Sequence, residues 1–312
     1  MLQSNYNTQN SEFQAISAIL SQITIKKGEQ NKLKPYLLKA LKKTSFTSAS
    51  KEKNIDDCGT FLQISTDGKI KGANFCKNKL CPLCQWRLSR KTYGKMIKAQ
   101  QLIEAEQPHL QYIFVTLTLR NMQSIKIGIQ DILKGFNNLT HDRIFRDISK
   151  GFYRRIEVTY NNNKNTWHPH IHMIMAVNNE YFQGKYLRKA KWAMLWKRAC
   201  RLDYIPIVDV RKVSDNKEKA VAEIAKYTMK PFDIERARAE PTKIYSELLE
   251  ATHHRRLSSY GGVYKKAVKA VGLSENMSLT DNITPDEIGE FFIFKNGKYE
   301  RYIDKSLMKR SC

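Results

Sequence analysis

Residues 167–177 read WHPHIHMIMAV, in which three alternating histidines lead into an unbroken apolar run. Such a run predicts a strand at the centre of a sheet. Side chains two positions apart on a strand project from the same face, so His170 and His172 point together and can chelate one ion. His168 shares that parity, but the adjacent Pro169 leaves its direction open. The alternative interpretation is two half-buried histidines with ordinary hydrogen bonds.

Two further segments predict strands beside this one. Residues 113–119 place apolar side chains on one face and Thr116 and Thr118 on the other. Residues 155–160 alternate between apolar and polar positions, one of which is Glu157. The Asn-rich stretch 161–165 predicts the loop that joins the second of these strands to the histidine strand. Glu157 is our candidate for a third metal ligand. A shift of one residue in register would turn it to the opposite face, and the sequence leaves the register open.

Helix and strand patterns together favour an α+β fold. Amphipathic stretches at about 123–149 and 181–202 predict helices between the strands. Strands mixed with helices, and neighbouring strands joined by a hairpin, indicate a central antiparallel sheet with helices on one face. Near the carboxyl end, Asn296-Gly297 between apolar and aromatic runs predicts a second hairpin.

The charge of the chain predicts a polyanionic partner. Lys and Arg number 54 against 30 Asp and Glu, a net charge of +24. Nucleic acid is the natural explanation, because Lys and Arg gain affinity by releasing phosphate counterions; a membrane surface and simple solubility are the alternatives. No apolar run reaches the roughly 18 residues of a membrane span. Residues 1–10 lack a secretory signal, so we expect a cytoplasmic protein without a membrane partner.

Four of the six cysteines lie close together, at Cys58, Cys76, Cys81 and Cys84. The last two have the Cys-x2-Cys spacing, which lets one tight turn present two sulfurs to a metal. Four thiolates suit a closed tetrahedral zinc site that stabilises a segment too small to fold alone. Disulfides are not favoured, because they rarely persist in the cytoplasm. The alternative is four reduced, buried thiols without a metal.

A helix is predicted over residues 219–230, and it carries a candidate nucleophile, Tyr227. Glu223 precedes it by four residues and Lys230 follows it by three, so both are its neighbours on the helix. A tyrosine is only about 0.1% ionised at neutral pH and needs a base or a cation to attack. Glu223 can accept the proton, and Lys226 and Lys230 can bind phosphate. Alone this pattern is weak; beside the histidine pair it predicts a catalytic tyrosine.

Four segments, in this order, resemble motifs of the HUH endonucleases, and specifically of single-tyrosine plasmid rolling-circle replication initiators. The resemblance extends over about residues 55–235. The segments are the cysteine cluster ANFCKNKLCPLCQWR at 73–87, FVTLTLRN at 114–121, WHPHIHMI at 167–174 and EIAKYTMK at 223–230.

This resemblance implies an activity and its cofactors. The sheet would be of the ferredoxin-like or RRM-like type, with the histidine strand in the middle. A Mn²⁺ or Mg²⁺ ion on His170 and His172 would position a phosphodiester for attack by Tyr227. Nicking of the plasmid's double-strand origin would leave a 5′-phosphotyrosine and a free 3′-hydroxyl. Glu223 would be the acidic helper, and Arg120, which lies within the segment 114–121, would contact DNA phosphate.

The implied partners are origin DNA, single-stranded DNA and host replication proteins. The 3′-hydroxyl would prime a host DNA polymerase. Because the chain has no Gly-x4-Gly-Lys-Ser/Thr phosphate loop, unwinding would come from supercoiling or a host helicase. A relaxase or a single-strand transposase of the same superfamily is the nearest alternative. A zinc-containing DNA-binding protein without catalysis, and an iron oxygenase with a facial triad, are alternatives of other classes.

Four segments are expected along the chain. Residues 1–54 form a basic, loosely docked arm, and residues 55–100 form a zinc-binding module. Residues 101–235 form the nicking domain, and residues 236–312 form a mainly helical extension that ends in the hairpin.

Overall fold

The computed structural model describes residues 2–213, 217–225, 234, 240–274, 276–281 and 289–302, with side chains from residue 13 onward. The chain divides into two compact units. The first comprises residues 1–87 and 278–312, and the second comprises residues 88–277. Within the described ranges, no helix is both long enough and apolar enough to cross a membrane.

The helices and strands of the described residues are numbered in chain order. The helices are α1 (Leu2–Lys42), α2 (Ala49–Asp56), α3 (Pro82–Glu106), α4 (Ile125–His141), α5 (Arg143–Ile148), α6 (Lys189–Cys200), α7 (Lys217–Ile224), α8 (Pro241–Thr252) and α9 (Val263–Ala270). The strands are β1 (Phe61–Ile64), β2 (Ile70–Ala73), β3 (Gln111–Thr118), β4 (Ser149–Asn161), β5 (Thr166–Val177), β6 (Val208–Lys212), β7 (Ser258–Gly262), β8 (Glu290–Lys295) and β9 (Lys298–Arg301).

The second unit is built on a five-stranded antiparallel sheet in the order β6-β3-β5-β4-β7. The predicted central position of the histidine strand β5 is confirmed. Its apolar residues are fully buried, as expected for a strand covered on both faces. Pairing of β5 with its neighbours places Thr118, His170 and Glu157 in one row across three strands.

Helices cover both faces of this sheet, so the expectation of helices on one face is wrong. On one face, Tyr153 and Ile174 belong to a buried cluster with side chains of α3, α7 and α9. On the other face, the Phe152 ring lies 5.2 Å from the Phe136 ring of α4 and 6.0 Å from the Phe145 ring of α5. The reason is that the apolar residues of β5 point to both faces, and each face needs a cover.

The prediction that residues 236–312 form one mainly helical extension is also wrong. Its strand β7 pairs with β4 and completes the central sheet, whereas β8 and β9 belong to a different sheet in the first unit. The β7 sequence, Ser-Ser-Tyr-Gly-Gly, has no apolar alternation that would predict a strand. Its place in the sheet depends on pairing with β4 rather than on its own pattern.

The first unit contains a four-stranded antiparallel sheet in the order β2-β1-β8-β9. The β8–β9 hairpin turns at Asn296 and Gly297, which have φ of +48° and +82°. Asn-Gly adopts two consecutive positive φ angles at low cost, and this conformation gives tight hairpins the twist of their strands.

The expectation of a loosely docked arm over residues 1–54 is wrong for most of its length. The helix α1 buries Ile16, Ile19, Ile23, Leu33 and Leu37. These residues recur at three-, four- and ten-residue intervals among Lys, Gln and Ser, which gives the helix one apolar stripe within a polar composition.

We expect Gly262→Ala to destabilise the second unit by about 2 kcal/mol or more, because it disturbs the β4–β7 pairing. Gly262 has a φ of +55°, and a Cβ there would overlap the carbonyl oxygen of Lys150. The measurement is the free energy of unfolding in urea. The control is Gly94→Ala within α3, where a Cβ meets nothing within 4 Å and should be neutral or mildly stabilising. Equal stability of the two variants would contradict the prediction.

Candidate functional site

Three side chains that could hold a metal ion meet on one face of the central sheet. His170 and His172 project from β5, and Glu157 lies opposite His170 on β4. Their ligand atoms all lie within 4.8 Å of one another. The register that the sequence left open therefore turns Glu157 toward the histidines. We call these three residues the triad.

The distances within the triad suit one small ion. The Oε2 atom of Glu157 lies 3.1 Å from Nε2 of His172 and 3.6 Å from Nε2 of His170. Ligands bonded at about 2.1 Å in tetrahedral or octahedral geometry are separated by roughly 3.0–3.4 Å. The donor set of two imidazoles and one carboxylate is one that transition metals accept.

Burial and hydrogen bonding keep Glu157 ready to bind a cation. Burial alone would raise the pKa of its carboxyl group, but hydrogen bonding to His170 and His172 outweighs that effect and holds the pKa well below its ordinary value. The carboxylate is therefore ionised at neutral pH. His168, by contrast, is not part of the triad, and burial lowers its pKa.

Thr116 is a site residue that the sequence analysis did not identify. It lies opposite His172 on β3, and its Oγ1 atom is 3.1 Å from Nδ1 of His172. A partner on one ring nitrogen orients the imidazole and leaves the other nitrogen for a metal. In His172 that other nitrogen is the one that faces Glu157. The threonine face of residues 113–119 was the available signal for this role.

The helix α7 brings Glu223 to the same place. Its Oε1 atom lies 3.8 Å from Nδ1 of His172, and its Oε2 atom accepts a 2.5 Å hydrogen bond from Arg211 of β6. At the end of the helix, the hydroxyl of Ser89 donates a 2.6 Å hydrogen bond to the carbonyl oxygen of Ala225. Val221, Ile224 and Ala225 are buried in this part of the chain.

The other predicted site residues have different positions. Tyr227, Lys226 and Lys230 lie outside the described residues. Arg120 lies just beyond β3 and is exposed, with its guanidinium 4.9 Å above the ring of Tyr204 and 3.5 Å from Asp203. Thr118 of β3 pairs with His170, and Arg120 comes two residues after Thr118. Along the chain, Arg120 is therefore close to the row of the sheet that carries the triad.

The four predicted cysteines form a second group within the first unit. They come from three places: Cys58 follows α2, Cys76 follows β2, and Cys81 and Cys84 flank the start of α3. Pro82, the first residue of that helix, has a φ suited to a helix start, so the two sulfurs sit on one tight turn.

The sulfur positions fit a tetrahedral ion. The Sγ atom of Cys58 lies 3.5 Å from that of Cys84 and 3.7 Å from that of Cys81, and the sulfurs of Cys76 and Cys84 are 3.5 Å apart. Zinc–sulfur bonds of about 2.3 Å place tetrahedral sulfurs roughly 3.8 Å apart. Hydrogen bonds from Cys76, Cys81 and Cys84 lower the pKa of the Cys58 thiol far below its ordinary value. The arrangement can therefore hold a metal, as the spacing predicted.

Comparisons with known proteins find similarity to replication proteins. A family model described as Replication protein matches residues 67–296. A Protein rep of Bacillus amyloliquefaciens is 35% identical over 262 residues, which cover 72% of this chain and 74% of that protein. A Protein rep of Streptococcus pneumoniae serotype 2 is 32% identical over 232 residues, with 70% and 72% covered. A Protein rep of Lactiplantibacillus plantarum is 29% identical over 278 residues, with 82% and 88% covered. No solved structure matches the chain.

We expect Glu157→Gln to weaken Mn²⁺ binding at the triad by about tenfold or more, because a neutral amide replaces the only carboxylate of the three. Titration calorimetry with the purified protein measures the affinity. The matched control is Glu247→Gln, since that carboxylate accepts a hydrogen bond from Trp167 Nε1, a role that an amide oxygen can keep. An unchanged affinity in the Glu157 variant would exclude it as a ligand.

Proposed function

This chain belongs to the family of plasmid rolling-circle replication initiators, and we propose that it starts replication by nicking its origin through metal-assisted transesterification from Tyr227. The observation that carries the proposal is the convergence of Glu157, His170 and His172 on the central strands of the sheet. A DNA-binding protein without catalysis has no need of this group.

In the proposed nicking site, the triad would hold one divalent ion. When bound, the ion would act as a Lewis acid and template for the scissile phosphate. Imidazole ligands favour transition metals over Mg²⁺, so Mn²⁺ is the better match to the donor set, and Mg²⁺ is the alternative. Thr116 would fix the ring of His172, and Glu157 would supply the negative charge.

Tyr227 is proposed as the nucleophile that forms the covalent link. Its phenolic oxygen would bond to phosphorus, and the bond from phosphorus to the 3′-oxygen would break. The 5′ phosphate would become a phosphotyrosine ester, and the 3′-oxygen would leave as a hydroxyl after protonation. One phosphate ester replaces another, so the later rejoining of the strand needs no external energy source.

Glu223 is proposed as the proton acceptor. In a first cleavage it would take the phenolic proton of Tyr227, and in a terminating cleavage it would take a proton from water or from a DNA 3′-hydroxyl. Its 3.8 Å approach to His172 and its hydrogen bond with Arg211 support a position at the reaction centre. This role would let a single tyrosine serve both cleavages.

The fold of the second unit is proposed to be of the HUH type, with a ferredoxin-like or RRM-like sheet. The central position of β5, with β3 and β4 beside it, supports this assignment. Arg120, Lys226 and Lys230 are proposed to contact DNA phosphates. The proposed partners are the double-strand origin, single-stranded DNA, and a host helicase and DNA polymerase, all in the cytoplasm.

The cysteine group is proposed to bind structural zinc in the first unit. All four sulfurs face one another, so no ligand position remains open for catalysis. The expected segment roles are kept as proposals: residues 55–100 hold the zinc ligands, and residues 101–235 hold the nicking residues.

We expect purified wild-type protein to release about one equivalent of zinc to a chromogenic chelator after thiol modification. Cys81→Ser should release much less, because three thiolates hold the ion weakly. Cys200→Ser is the control, since Cys200 lies outside the cluster and is partly buried in the second unit. A wild-type protein without zinc would favour reduced, buried thiols instead.

We expect wild-type protein with Mn²⁺ to nick supercoiled plasmid carrying its origin and to remain attached to the 5′ end. Tyr227→Phe should lower the nicking rate by about a thousandfold or more, because the nucleophile is removed. Denaturing gels before and after protease digestion measure both results, and EDTA should abolish nicking. Glu223→Ala, run in parallel, reports on termination through the fraction of released, recircularised strands.

The control for this experiment is Tyr186→Phe, which removes the hydroxyl of an exposed tyrosine that lies against other aromatic rings. It should nick like the wild type. If Tyr227→Phe nicks equally well, another residue is the nucleophile. If no protein nicks although all bind the origin, a binding protein without catalysis becomes the better account. Normal termination by Glu223→Ala would remove its proposed role.

A further inference from the structure

Arg155 is a buried cation for which the described part of the chain provides no counterion. It lies on β4 with 7% of its surface exposed, and its Nε atom is buried without a hydrogen-bond partner. Among the described residues, no hydrogen bond or ion pair reaches its guanidinium. An uncompensated buried charge is unfavourable, so such a group is retained where an anion will meet it.

The pairing of β4 places this arginine beside the triad. Arg155 lies directly opposite His172 and two residues before Glu157. Directly opposed residues of antiparallel strands share a face, with Cβ atoms roughly 4.5–5.5 Å apart. The side chain of Arg155 therefore projects from the face of the sheet that carries the candidate metal ligands.

The two described carboxylates of the site have other partners. The Oε2 atom of Glu157 is directed to the two histidines, at 3.1 Å and 3.6 Å. Glu223 pairs with Arg211. Neither carboxylate forms an ion pair with Arg155 among the described residues.

The preceding residue provides a comparison on the same strand. Arg154 is also buried, with 4% of its surface exposed, but it points to the opposite face. Within the described ranges its Nε atom lacks a hydrogen-bond partner, as in Arg155, but its guanidinium donates from Nη1 to the carbonyl of Leu257 at 3.1 Å and lies 5.1 Å from the Phe136 ring. Arg154 has contacts of the kind expected for a structural arginine. Arg155 is buried on the same strand, but its guanidinium makes no comparable hydrogen bond among the described residues.

We propose that Arg155 forms an anion-binding site for the scissile phosphodiester of the DNA strand. This inference rests on the proposed nicking function. The guanidinium would donate to the non-bridging oxygens and stay protonated throughout, since an arginine does not lose its proton in this role. It would offset the charge that grows on those oxygens as the tyrosine attacks. No bond to Arg155 forms or breaks.

The first test needs neither metal nor nicking. Binding of a fluorescent oligothymidylate is measured in EDTA at several salt concentrations. Each phosphate contact on a single strand contributes about 0.7 to the slope of log affinity against log salt. We expect Arg155→Gln to lower the magnitude of this slope by about 0.7, and Arg155→Lys and Arg154→Gln to leave it near the wild-type value. An unchanged slope in Arg155→Gln would overturn the proposal.

The second test identifies the phosphate. Cleavage of an oligonucleotide that spans the nick site is compared with cleavage of the same strand carrying an uncharged methylphosphonate at the scissile linkage. We expect Arg155→Gln to slow cleavage of the natural strand by about a hundredfold or more, and to slow cleavage of the methylphosphonate much less. Arg154→Gln should affect both strands equally.

The outcomes separate this proposal from the proposed function. Equal loss on both strands in Arg155→Gln would mean a structural role and would overturn the inference. Absence of cleavage by the wild type would count against nicking, whereas the salt slopes would still test Arg155. If Arg155→Gln does not fold, Arg155→Lys is tested in the cleavage assay instead, because a lysine cannot make the two-pronged contact of an arginine. An unaltered ratio of the cleavage rates of the natural and methylphosphonate strands would then overturn the proposal.

Discussion

The site depends above all on the antiparallel pairing of β4 with β5. That pairing puts Glu157 opposite His170 and Arg155 opposite His172, so one register positions both charged residues of β4 beside the histidines. Because side chains alternate along a strand, a slip of one residue would move Glu157 and Arg155 to the face where Arg154 now contacts Phe136. The long pairing of these two strands, from Ser149 to Asn161, opposes such a slip.

The burial of β5 explains why the pairing is so well defined. On one face, Ile174 and Ala176 belong to a buried cluster with side chains of α3, α7 and α9, and the other face of the strand lies against α4. A one-residue shift of β4 would carry Glu157 and Arg155 to the face covered by α4 and α5, and burying these charges among apolar side chains would cost free energy. The same packing brings Glu223 of α7 to His172, so the helix that stabilises the sheet also carries a candidate catalytic group.

The first unit uses a different source of stability. Its sheet has four short strands, and two of them come from the far end of the chain. Four sulfurs from three chain segments meet within 4.8 Å, an arrangement in which a metal would hold these three segments together. The helix α1 adds apolar side chains such as Ile23 and Leu37 to this unit.

The sequence by itself determined the local features whose signal lies within a few residues. These include the buried histidine strand, the Cys-x2-Cys turn and the Asn-Gly hairpin, because alternation, spacing and turn preference act over short distances. Tertiary structure decided what depends on partners far along the chain. This second class includes the register that turns Glu157 to His170, the pairing of the patternless strand β7 with β4 and the helices on both faces. It also includes the absence, among the described residues, of a counterion for Arg155. In each of them the stabilising free energy comes from contacts between segments that are distant along the chain. The sequence of one segment does not specify which other segment it will contact.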